Sequence, residues 1–350
     1  MARRGRLDDA AGQLRKLIPA GWTISVTRRT RDGGQFRISA PSGEAADIDV
    51  KAMKDATPRS VAGLAESAHP TIVLAEWLSP RSRDLLRAGG RSFLDVTGNA
   101  EIRLDRPALY VRTDGAGRNP APKPSNGPGL RGAKAWALLR TLAEVRPPFG
   151  VRELAEAVNV DPGYVSRVLR ALEDEQLVVR TPRGPVTDVD WEGVIRKAAA
   201  TYSLLDANET STWVTTSGPD RLIDDLAAKR IGDWAVTGSI AASRLAPVAA
   251  PEMAVIYTAD PECVVRAGRL LPTTRGANVV LAVPYNPIVF EGTEPSGAIP
   301  YVSAAQLAID SLTGNARMPA EGEALLAWMR KNEPRWRTRT LRDRRKSPSV

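Results

Sequence analysis

The sequence predicts a multidomain α/β protein in which a short helical domain separates two regions of mixed strands and helices. Its 350 residues are enough for two or three domains that each bury their own core. Residues 114–129 are dense in Pro, Gly, Asn and Ser, a composition typical of a linker. Strand-like and helix-like segments alternate both before this linker and after residue 190. We therefore expect an α/β domain at 1–113, a helical domain at 130–190, a second α/β domain at 191–332 and a basic tail at 333–350.

The first region has the order helix, three strands, helix, strand. We expect a helix at 7–17, strands at 22–28, 35–40 and 46–50, a helix at 58–67, a strand at 71–75, a helix at 80–88 and short strands near 93 and 102. This order resembles the restriction-endonuclease-like core, in which a paired acid and an Asp/Glu-x-Lys triplet bind Mg²⁺. Asp49-Val50-Lys51 on the third strand fits that triplet.

The paired acid of such a metal site is missing. The second strand contains no carboxylate, which leaves only Asp32 in the turn before it or Asp47 beside the triplet. Mg²⁺ is usually held by one or two carboxylates together with substrate phosphate, so the local negative charge is too low. We expect an inactive domain without bound metal or cofactor. The alternative is a Mg²⁺-dependent DNA endonuclease that uses Asp49 and Lys51.

The stretch VRELAEAVNVDPGYVSRVLRALEDEQL, residues 151–177, predicts two short helices joined by a tight turn. Asn159 and Val160 interrupt the helical pattern, Asp161 suits an N-cap and Pro162 suits a first turn. Such a pair presents its second helix to the major groove of DNA. The inward positions are apolar at helical spacing: Val151, Leu154, Ala155 and Val158 in the first helix, and Val165, Val168, Leu169 and Leu172 in the second.

The outward positions of the second helix have the chemistry of a DNA-binding surface. A small residue allows close approach, and hydroxyl and guanidinium groups contact phosphates and base edges. These positions are Gly163, Tyr164, Ser166, Arg167 and Arg170, and Arg152 lies on the outer face of the first helix. The acidic residues 173–175 lie at the far end of the second helix, so the end that carries Tyr164 and Arg167 stays positive.

The flanking segments complete a winged helix-turn-helix. Residues 130–146 predict a helix whose stripe of Trp136, Leu139, Leu142 and Ala143 completes a three-helix core. After Leu177, two β-prone runs around residues 182–185 predict a hairpin wing with Arg180 and Arg183 near its tip. The alternative is a winged helix that packs only against protein, and the near-zero net charge of residues 130–190 favours that alternative.

The third region alternates strands and helices after a connecting helix that begins near 191. We expect a strand at 212–215, a helix at 220–229, a strand at 234–236 that leads into Gly238-Ser239, a helix at 240–245 and a strand at 253–258 that leads into Asp260-Pro261-Glu262. This order resembles nucleotidyltransferase-like folds, where Gly-Ser binds the triphosphate and two acids hold metal. The gap between the two motifs is long, and Pro261 between the acids is typical of a helix start. We expect a scaffold without activity.

The net charge of +9 is concentrated at the two ends of the chain. Residues 1–31 and residues 335–350 carry +6 each, and the residues between them carry −3. Basic ends around a near-neutral body are common in proteins that hold a polyanion, because each neutralised phosphate releases counterions. The tail has too few apolar residues to fold alone, so we expect it to be disordered until bound. A solvated tail without a partner is the alternative.

Cysteine and histidine usage excludes several classes of site. The one cysteine, Cys263, cannot form an internal disulfide, and the one histidine, His69, is far from it in sequence, which argues against a zinc site. Serine-hydrolase triads would need His69 as their only imidazole. No apolar run approaches the length of a membrane span, and the N-terminus lacks the apolar segment of a signal peptide. We expect a cytoplasmic protein without membrane attachment.

Several stretches resemble bacterial helix-turn-helix proteins related to the AbiEi antitoxins of type IV toxin-antitoxin systems. They are residues 78–81, FLDVTGNA at 93–100, GYVSRVLRALEDE, AVTGSIAA at 235–242, GANVVLAVPYNPIVFE, QLAIDSLTG at 306–314 and PAEGEALLAWM at 319–329. The resemblance implies a winged helix that binds operator repeats and a C-terminal domain that serves to neutralise a nucleotidyltransferase-type toxin. Within FLDVTGNA, Gly98 and Asn99 tolerate positive φ, which predicts a tight hairpin that Asp95 caps.

These observations predict a sequence-specific protein that binds double-stranded DNA, of the AbiEi-like regulator type, with Tyr164, Ser166, Arg167 and Arg170 reading or clamping the duplex. Two other functions stay open. One is the endonuclease named above, directed to DNA by the winged helix. The other is an interaction module of a toxin-antitoxin or defence system whose C-terminal domain binds a partner protein. A homodimer is compatible with each of them.

Overall fold

The computed structural model describes residues 4–121, 130–182, 184–229, 231–273, 275–338 and 340–341, with the backbone alone at 4–6. The chain forms two compact units. The first comprises residues 1–126 and 174–176, and the second comprises residues 127–173 and 177–350. Each unit contains a sheet with both parallel and antiparallel strands. The part of the chain between the two sheets is mostly helical. The predicted α/β class with a central helix-turn-helix region is confirmed.

The first unit is built on one seven-stranded sheet whose strands lie in sequence order. Its elements are α1 (Arg4–Leu17), β1 (Thr23–Thr30), β2 (Gly33–Ser39), β3 (Ala45–Ala52), α2 (Pro58–Ala62), β4 (Thr71–Ala75), α3 (Pro80–Ala88), β5 (Ser92–Asp95), β6 (Ala100–Leu104) and β7 (Leu109–Thr113). Strands β3, β4 and β5 are parallel, and the other neighbouring pairs are antiparallel. The predicted order of helices and strands is present and β7 was not predicted. Helix α2 ends at Ala62, with Gly63 as its C-cap, instead of continuing to residue 67.

Each face of this sheet has its own apolar layer. On one face, Leu7 and Leu14 of α1 are buried with Phe36 of β2, because alternate residues of a strand point to the same side. On the other face, Val61 of α2 and Leu86 of α3 pack in a second cluster. The β5–β6 turn is closed as expected, since Asp95 accepts hydrogen bonds from Thr97 N at 2.9 Å and from Asn99 N at 3.1 Å.

The second unit begins with the three helices and the hairpin of the winged helix. These are α4 (Ala133–Glu144), α5 (Val151–Ala157), α6 (Pro162–Asp174), β8 (Val178–Arg180) and β9 (Val186–Val189). The α/β part follows with α7 (Trp191–Ala199), β10 (Glu209–Val214), α8 (Pro219–Ala227), β11 (Trp234–Thr237), α9 (Gly238–Leu245), β12 (Ala254–Thr258), α10 (Pro261–Gly268), β13 (Leu271–Pro272), β14 (Val279–Val283), a 3-10 helix (Pro287–Phe290), β15 (Glu294–Ser296), β16 (Ile299–Tyr301), α11 (Ala304–Thr313), α12 (Met318–Lys331) and α13 (Glu333–Trp336). Its sheet has the order β13-β10-β14-β12-β11-β16-β15.

The winged helix and the α/β part share one hydrophobic core. Leu138 and Leu142 of α4, Leu169 of α6 and Ile256 of β12 all belong to the same buried cluster. The domain boundary that the sequence predicts between residues 190 and 191 therefore lies inside one compact unit. The physical reason is that α4 is apolar on most of its circumference, with Ala135 through Glu144 all buried, and a helix of that kind must be covered on several sides.

A buried arginine joins α4 to the α/β part. Arg140 is 0% exposed, and its Nε donates to Glu144 Oε1 at 2.6 Å. Its two terminal nitrogens donate to the carbonyl oxygens of Ile288 and Glu291, and one of them also donates to Ser303 Oγ at 3.1 Å. A buried guanidinium is stable only when most of its donors have partners, so this contact fixes α4 against the segment that contains the 3-10 helix and the start of α11.

A buried carboxylate lies at the centre of the α/β part. Asp310 of α11 accepts hydrogen bonds from Thr237 Oγ1 at 2.7 Å, Gln306 Nε2 at 2.8 Å, Tyr257 OH at 3.0 Å and Tyr202 OH at 3.2 Å. Burial raises the pKa of Asp310 from 3.8 to about 6, and these four hydrogen bonds oppose that rise. The Tyr202 ring stacks on Trp136 of α4 with 5.5 Å between centroids, which brings this polar cluster next to the winged helix.

The start of the predicted disordered tail is folded, so the prediction is wrong for residues 333–338. Trp336 is buried against Trp191 with 4.9 Å between ring centroids. Arg337 donates to the carbonyl oxygens of Ala143 at 3.0 Å and Val145 at 2.9 Å, at the end of α4 where helix carbonyls lack internal partners. The partners of this segment are far away in the sequence, and the few apolar residues of the tail itself give no indication of them. Arg339 and residues 342–350 lie outside the described residues.

In the part of the chain that the structure describes, no helix has both the length and the apolar character needed to cross a membrane.

Candidate nucleic-acid interface

The turn between α5 and α6 is set by local sequence signals. Asn159 has a φ of 50°, a left-handed conformation that Asn tolerates better than most residues, and the following Val160 N donates to Ala155 O at 3.0 Å. Asp161 caps α6, because its Oδ1 accepts a hydrogen bond from Tyr164 N at 3.0 Å. The break at Asn159 and the cap at Asp161 are placed as the sequence predicts.

The orientation of α6 follows from its apolar stripe. Val165, Val168, Leu169 and Leu172 are each 0% exposed. Burying an aliphatic side chain of this size contributes roughly 1.5–3 kcal/mol, so rotation of the helix about its axis would be costly. The face opposite the stripe is therefore held towards solvent, which is the geometry that a recognition helix needs.

Three arginines of the helix-turn-helix are exposed to solvent. Arg152 of α5 and Arg167 and Arg170 of α6 are exposed, and none forms an ion pair with a described residue. Some other arginines of the unit are engaged: Arg196, for example, binds Glu192 at 3.0 Å and Glu323 at 2.6 Å. An unpaired guanidinium keeps all of its donors for phosphates or guanine.

The predicted small and hydroxyl positions of α6 differ in exposure. Gly163 is exposed, whereas Ser166 and Tyr164 are half-buried. The Tyr164 ring packs against the core of the unit, and this burial raises the pKa of its hydroxyl while the positive charge of Arg167 opposes the rise. Tyr164 thus has a structural role as well as the position of a contact residue.

Gly163 leaves room for two neighbouring functional groups. A Cβ placed there would lie 2.9 Å from Asp161 Oδ1 and 3.6 Å from Arg167 Nη1. The first of these distances is too short for a carbon beside an oxygen. A larger residue would therefore displace the capping carboxylate of Asp161, while its Cβ would be in ordinary van der Waals contact with Arg167.

The wing is a small sheet formed by β8 and β9, to which Phe149 adds a bridge at Val186. Arg180 is placed in this wing, but its guanidinium binds Glu173 Oε2 at 2.9 Å and its side chain is only 20% exposed. This contact fastens β8 to the end of α6. Arg183, which the sequence predicts near the wing tip, lies outside the described residues.

The alternative catalytic residues lie on β3. Asp49 accepts hydrogen bonds from Ser67 Oγ at 2.5 Å and from Gln35 Nε2 at 3.4 Å, and Arg28 Nη2 is 3.8 Å away. Gln35 on β2 stands directly opposite Asp49, where a paired carboxylate would be needed. Lys51 is two residues further along β3 and half-buried. Among the described residues, no group of three or more His, Cys, Asp or Glu side chains could hold a metal ion.

The Gly-Ser motif of the α/β part is covered. Ser239 Oγ donates to Glu321 Oε2 of α12 at 2.6 Å, and Ser239 is 8% exposed. A Cβ on Gly238 would lie 3.1 Å from Val255 Cγ2 and 3.3 Å from Met318 Cε, so β12 and α12 pack closely around the motif. Asp260 caps α10 through Cys263 N at 3.0 Å, as Pro261 in the first turn suggests.

Comparison with known proteins agrees with the geometry of the helix-turn-helix. A family model described as MarR family matches residues 133–183, which run from the start of α4 to the wing. This segment is similar to a MarR-type winged helix-turn-helix domain, and the predicted winged helix is confirmed. Neither the curated proteins nor the solved structures gave a match to this chain.

Sequence reasoning missed two groups of residues around this interface. Asp161 is predicted as a cap, but its second carboxylate oxygen, which accepts no hydrogen bond from a described residue, carries no sequence signal. Arg140 connects α4 to the α/β part, and Arg337 of the C-terminal segment binds the end of α4. Neither contact has a local sequence signal. The only available hint for Arg140 was its position on the apolar side of a helix, where an arginine requires a partner.

Proposed function

We propose that this protein is a transcriptional regulator that binds double-stranded DNA sequence-specifically through α6. The observation that carries the proposal is that Arg167 and Arg170 are exposed and have no ion-pair partner among the described residues, on the outward face of a helix whose opposite face is buried. The MarR-family match over residues 133–183 supports the same helix as the reading element.

Arg167 and Arg170 are three residues apart and therefore lie on one face of α6. A guanidinium can bind O6 and N7 of guanine at once, whereas a contact to phosphate contributes affinity without sequence information. Arg152 at the start of α5 is suited to phosphate contact. Arg180 already binds Glu173, so we propose that it supports the wing and contributes less to DNA contact than the other three.

The test is selection from a pool of double-stranded DNA with a random central segment, followed by mobility-shift titration of the enriched sequence. Arg167→Ala and Arg170→Ala should each weaken binding by about 1–3 kcal/mol and relax preference at one base pair if the contact is bidentate. Arg221→Ala is the matched control, since Arg221 is an exposed arginine of α8 in the same unit. Unchanged binding by the double variant of Arg167 and Arg170 would refute the assignment.

An AbiEi-like antitoxin role is a finer proposal that the sequence resemblance supports. The resembling stretch 235–242 forms β11 and the start of α9, and its Gly238 and Ser239 pack under α12. A covered Gly-Ser favours a scaffold for protein contact over a nucleotidyltransferase. Co-expression with the nucleotidyltransferase encoded beside this gene, if there is one, tests the proposal: rescue of growth would support it, and toxicity that this protein leaves unchanged would contradict it.

We propose that the first unit does not cleave DNA. Gln35 stands where a paired acid would be needed, and Asp49 is held by Ser67 and Gln35. Incubation of supercoiled plasmid with Mg²⁺ and with Mn²⁺ should give no nicking, and Mn²⁺ is the more demanding test because it accepts ligand sets that Mg²⁺ rejects. Nicking by the wild type that disappears in Asp49→Ala and Lys51→Ala would establish the endonuclease alternative.

A homodimer is also proposed, and sedimentation equilibrium tests it.

A further inference from the structure

Asp161 places an exposed carboxylate at the end of α6 that would enter the groove. Its Oδ1 caps the helix through Tyr164 N, and no described residue donates a hydrogen bond to its Oδ2. The N-terminal residues of a recognition helix are the ones that contact base edges. One acceptor oxygen of Asp161 is thus free at the position where base contacts are made.

A carboxylate in a DNA groove needs a specific partner. Phosphates repel it, so it weakens binding to most sequences. In the major groove, the exocyclic amines of cytosine (N4) and adenine (N6) can donate to an Asp or Glu carboxylate, while guanine presents only the acceptors N7 and O6. The repulsion is offset where a cytosine faces Asp161, which makes the carboxylate a source of discrimination.

Arg167 supplies the complementary donor beside it. The capping Oδ1 of Asp161 and Nη1 of Arg167 lie 2.9 Å and 3.6 Å from the Cβ position of Gly163, so the carboxylate and the guanidinium are neighbours at the first turn of α6. A G·C pair shows the acceptors of guanine and the donor of cytosine side by side in the major groove. The two side chains present the opposite pattern.

We infer that Asp161 is a specificity-determining residue that, with Arg167, selects a G·C base pair. Arg167 donates to O6 and N7 of guanine, and Asp161 Oδ2 accepts from N4 of cytosine. The inference rests on the proposed DNA-binding function and names the base pair at one position of its target.

Asp161→Asn tests this assignment with little risk to folding. Asn caps a helix as well as Asp does, so the bond from Tyr164 N is kept while the charge and one acceptor are lost. Asp161→Ser keeps the cap with a different geometry and serves as the second variant. Asp260→Asn is the matched control, since Asp260 caps α10 in the same way and is exposed.

Wild-type protein and the variants are taken through selection on double-stranded DNA with a random central segment, and the enriched sequences are titrated with each base pair substituted. The wild type should prefer G·C at one position by about tenfold, and Asp161→Asn and Asp161→Ser should reduce that preference below about twofold. Both should bind the unselected pool more tightly than the wild type, because a negative charge is removed. Asp260→Asn should match the wild type.

The outcomes separate this inference from the function on which it rests. If the wild type enriches no sequence, both the DNA-binding proposal and the role of Asp161 are overturned. If the wild type enriches a sequence and Asp161→Asn keeps the same preference at every position, DNA binding stands and the role of Asp161 is overturned. Loss of preference at one position in both variants, with thermal unfolding like that of Asp260→Asn, supports it.

Discussion

Replacing Arg140 with methionine should destabilise the second unit strongly. Methionine keeps an unbranched apolar side chain at this buried position but removes every donor of the guanidinium. The carboxylate of Glu144 then loses its 2.6 Å ion pair, and the carbonyl oxygens of Ile288 and Glu291 lose a donor. Glu144 is 4% exposed, so water cannot replace the lost partner without opening the core.

The size of the effect follows from this burial. Breaking a buried ion pair by removing one partner costs about 3–5 kcal/mol, because an uncompensated charge is left behind. Replacing both partners with apolar residues costs much less. Arg140→Met should therefore lower the free energy of unfolding by about 3–5 kcal/mol, and the double variant Arg140→Met with Glu144→Leu should recover part of that loss. Ser303 Oγ keeps a 2.5 Å contact with Glu144 in the single variant, which favours the lower end.

Urea unfolding followed by tryptophan fluorescence measures the change. With a slope of about 2–3 kcal/mol per molar urea, the single variant should shift the midpoint down by about 1–2 M. Arg221→Ala, an exposed arginine of the same unit, should change stability by less than about 0.5 kcal/mol. A shift for Arg140→Met as small as that of Arg221→Ala would refute the reasoning, as would a double variant that is less stable than the single one.

Two further predictions concern the C-terminal segment and pH. Deleting residues 342–350, whose sequence RDRRKSPSV carries a net charge of +3 and few apolar side chains, should leave the melting temperature unchanged and reduce the salt dependence of DNA binding. Deletion from residue 333 should lower the melting temperature, because it removes the buried Trp336. Equal melting temperatures for the two truncations would contradict this. Burial raises the pKa of Asp310 to about 6, so the folded protein binds a proton on this carboxyl group more tightly than the unfolded chain does. The stability gained from this difference is complete below about pH 4 and is lost as the pH rises through 6. The unfolding free energy of the wild type should fall by up to about 3 kcal/mol over that range relative to Asp310→Asn, and parallel pH profiles would contradict it.

Local signals in the sequence were sufficient for the elements of the interface. The limits of β4 and α3 agree with the predicted ones, and so does the start of α6, since proline, capping side chains and apolar period act within a few residues. Asp95 also caps its turn as predicted, because the residues it binds are two and four positions away. These features depend on interactions between residues that are close together in the sequence.

Long-range partners were not predictable from the sequence. Glu173 neutralises Arg180 seven residues away across a turn, which only the folded wing shows. The 3-10 helix that receives Arg140 is almost 150 residues further along the chain, and nothing near Arg140 indicates it. The pairing of Gln35 with Asp49 likewise follows from the register of β2 and β3 in the folded sheet.

The winged helix should not fold when it is cut at the predicted boundary of residue 190. In the isolated segment 130–190, Arg140 would lose its carbonyl partners at Ile288 and Glu291, and Trp136 would lose the Tyr202 ring. The carbonyl oxygens of Ala143 and Val145 would lose Arg337. A small three-helix domain has little stability to spare against such losses. Circular dichroism should show low helicity and no cooperative melt for 130–190, and a cooperative melt for 127–341, which retains all of these partners. A cooperative melt of 130–190 near that of the longer fragment would mean that the shared core contributes little to the winged helix, and the orientation of α6 would then depend on its own stripe alone.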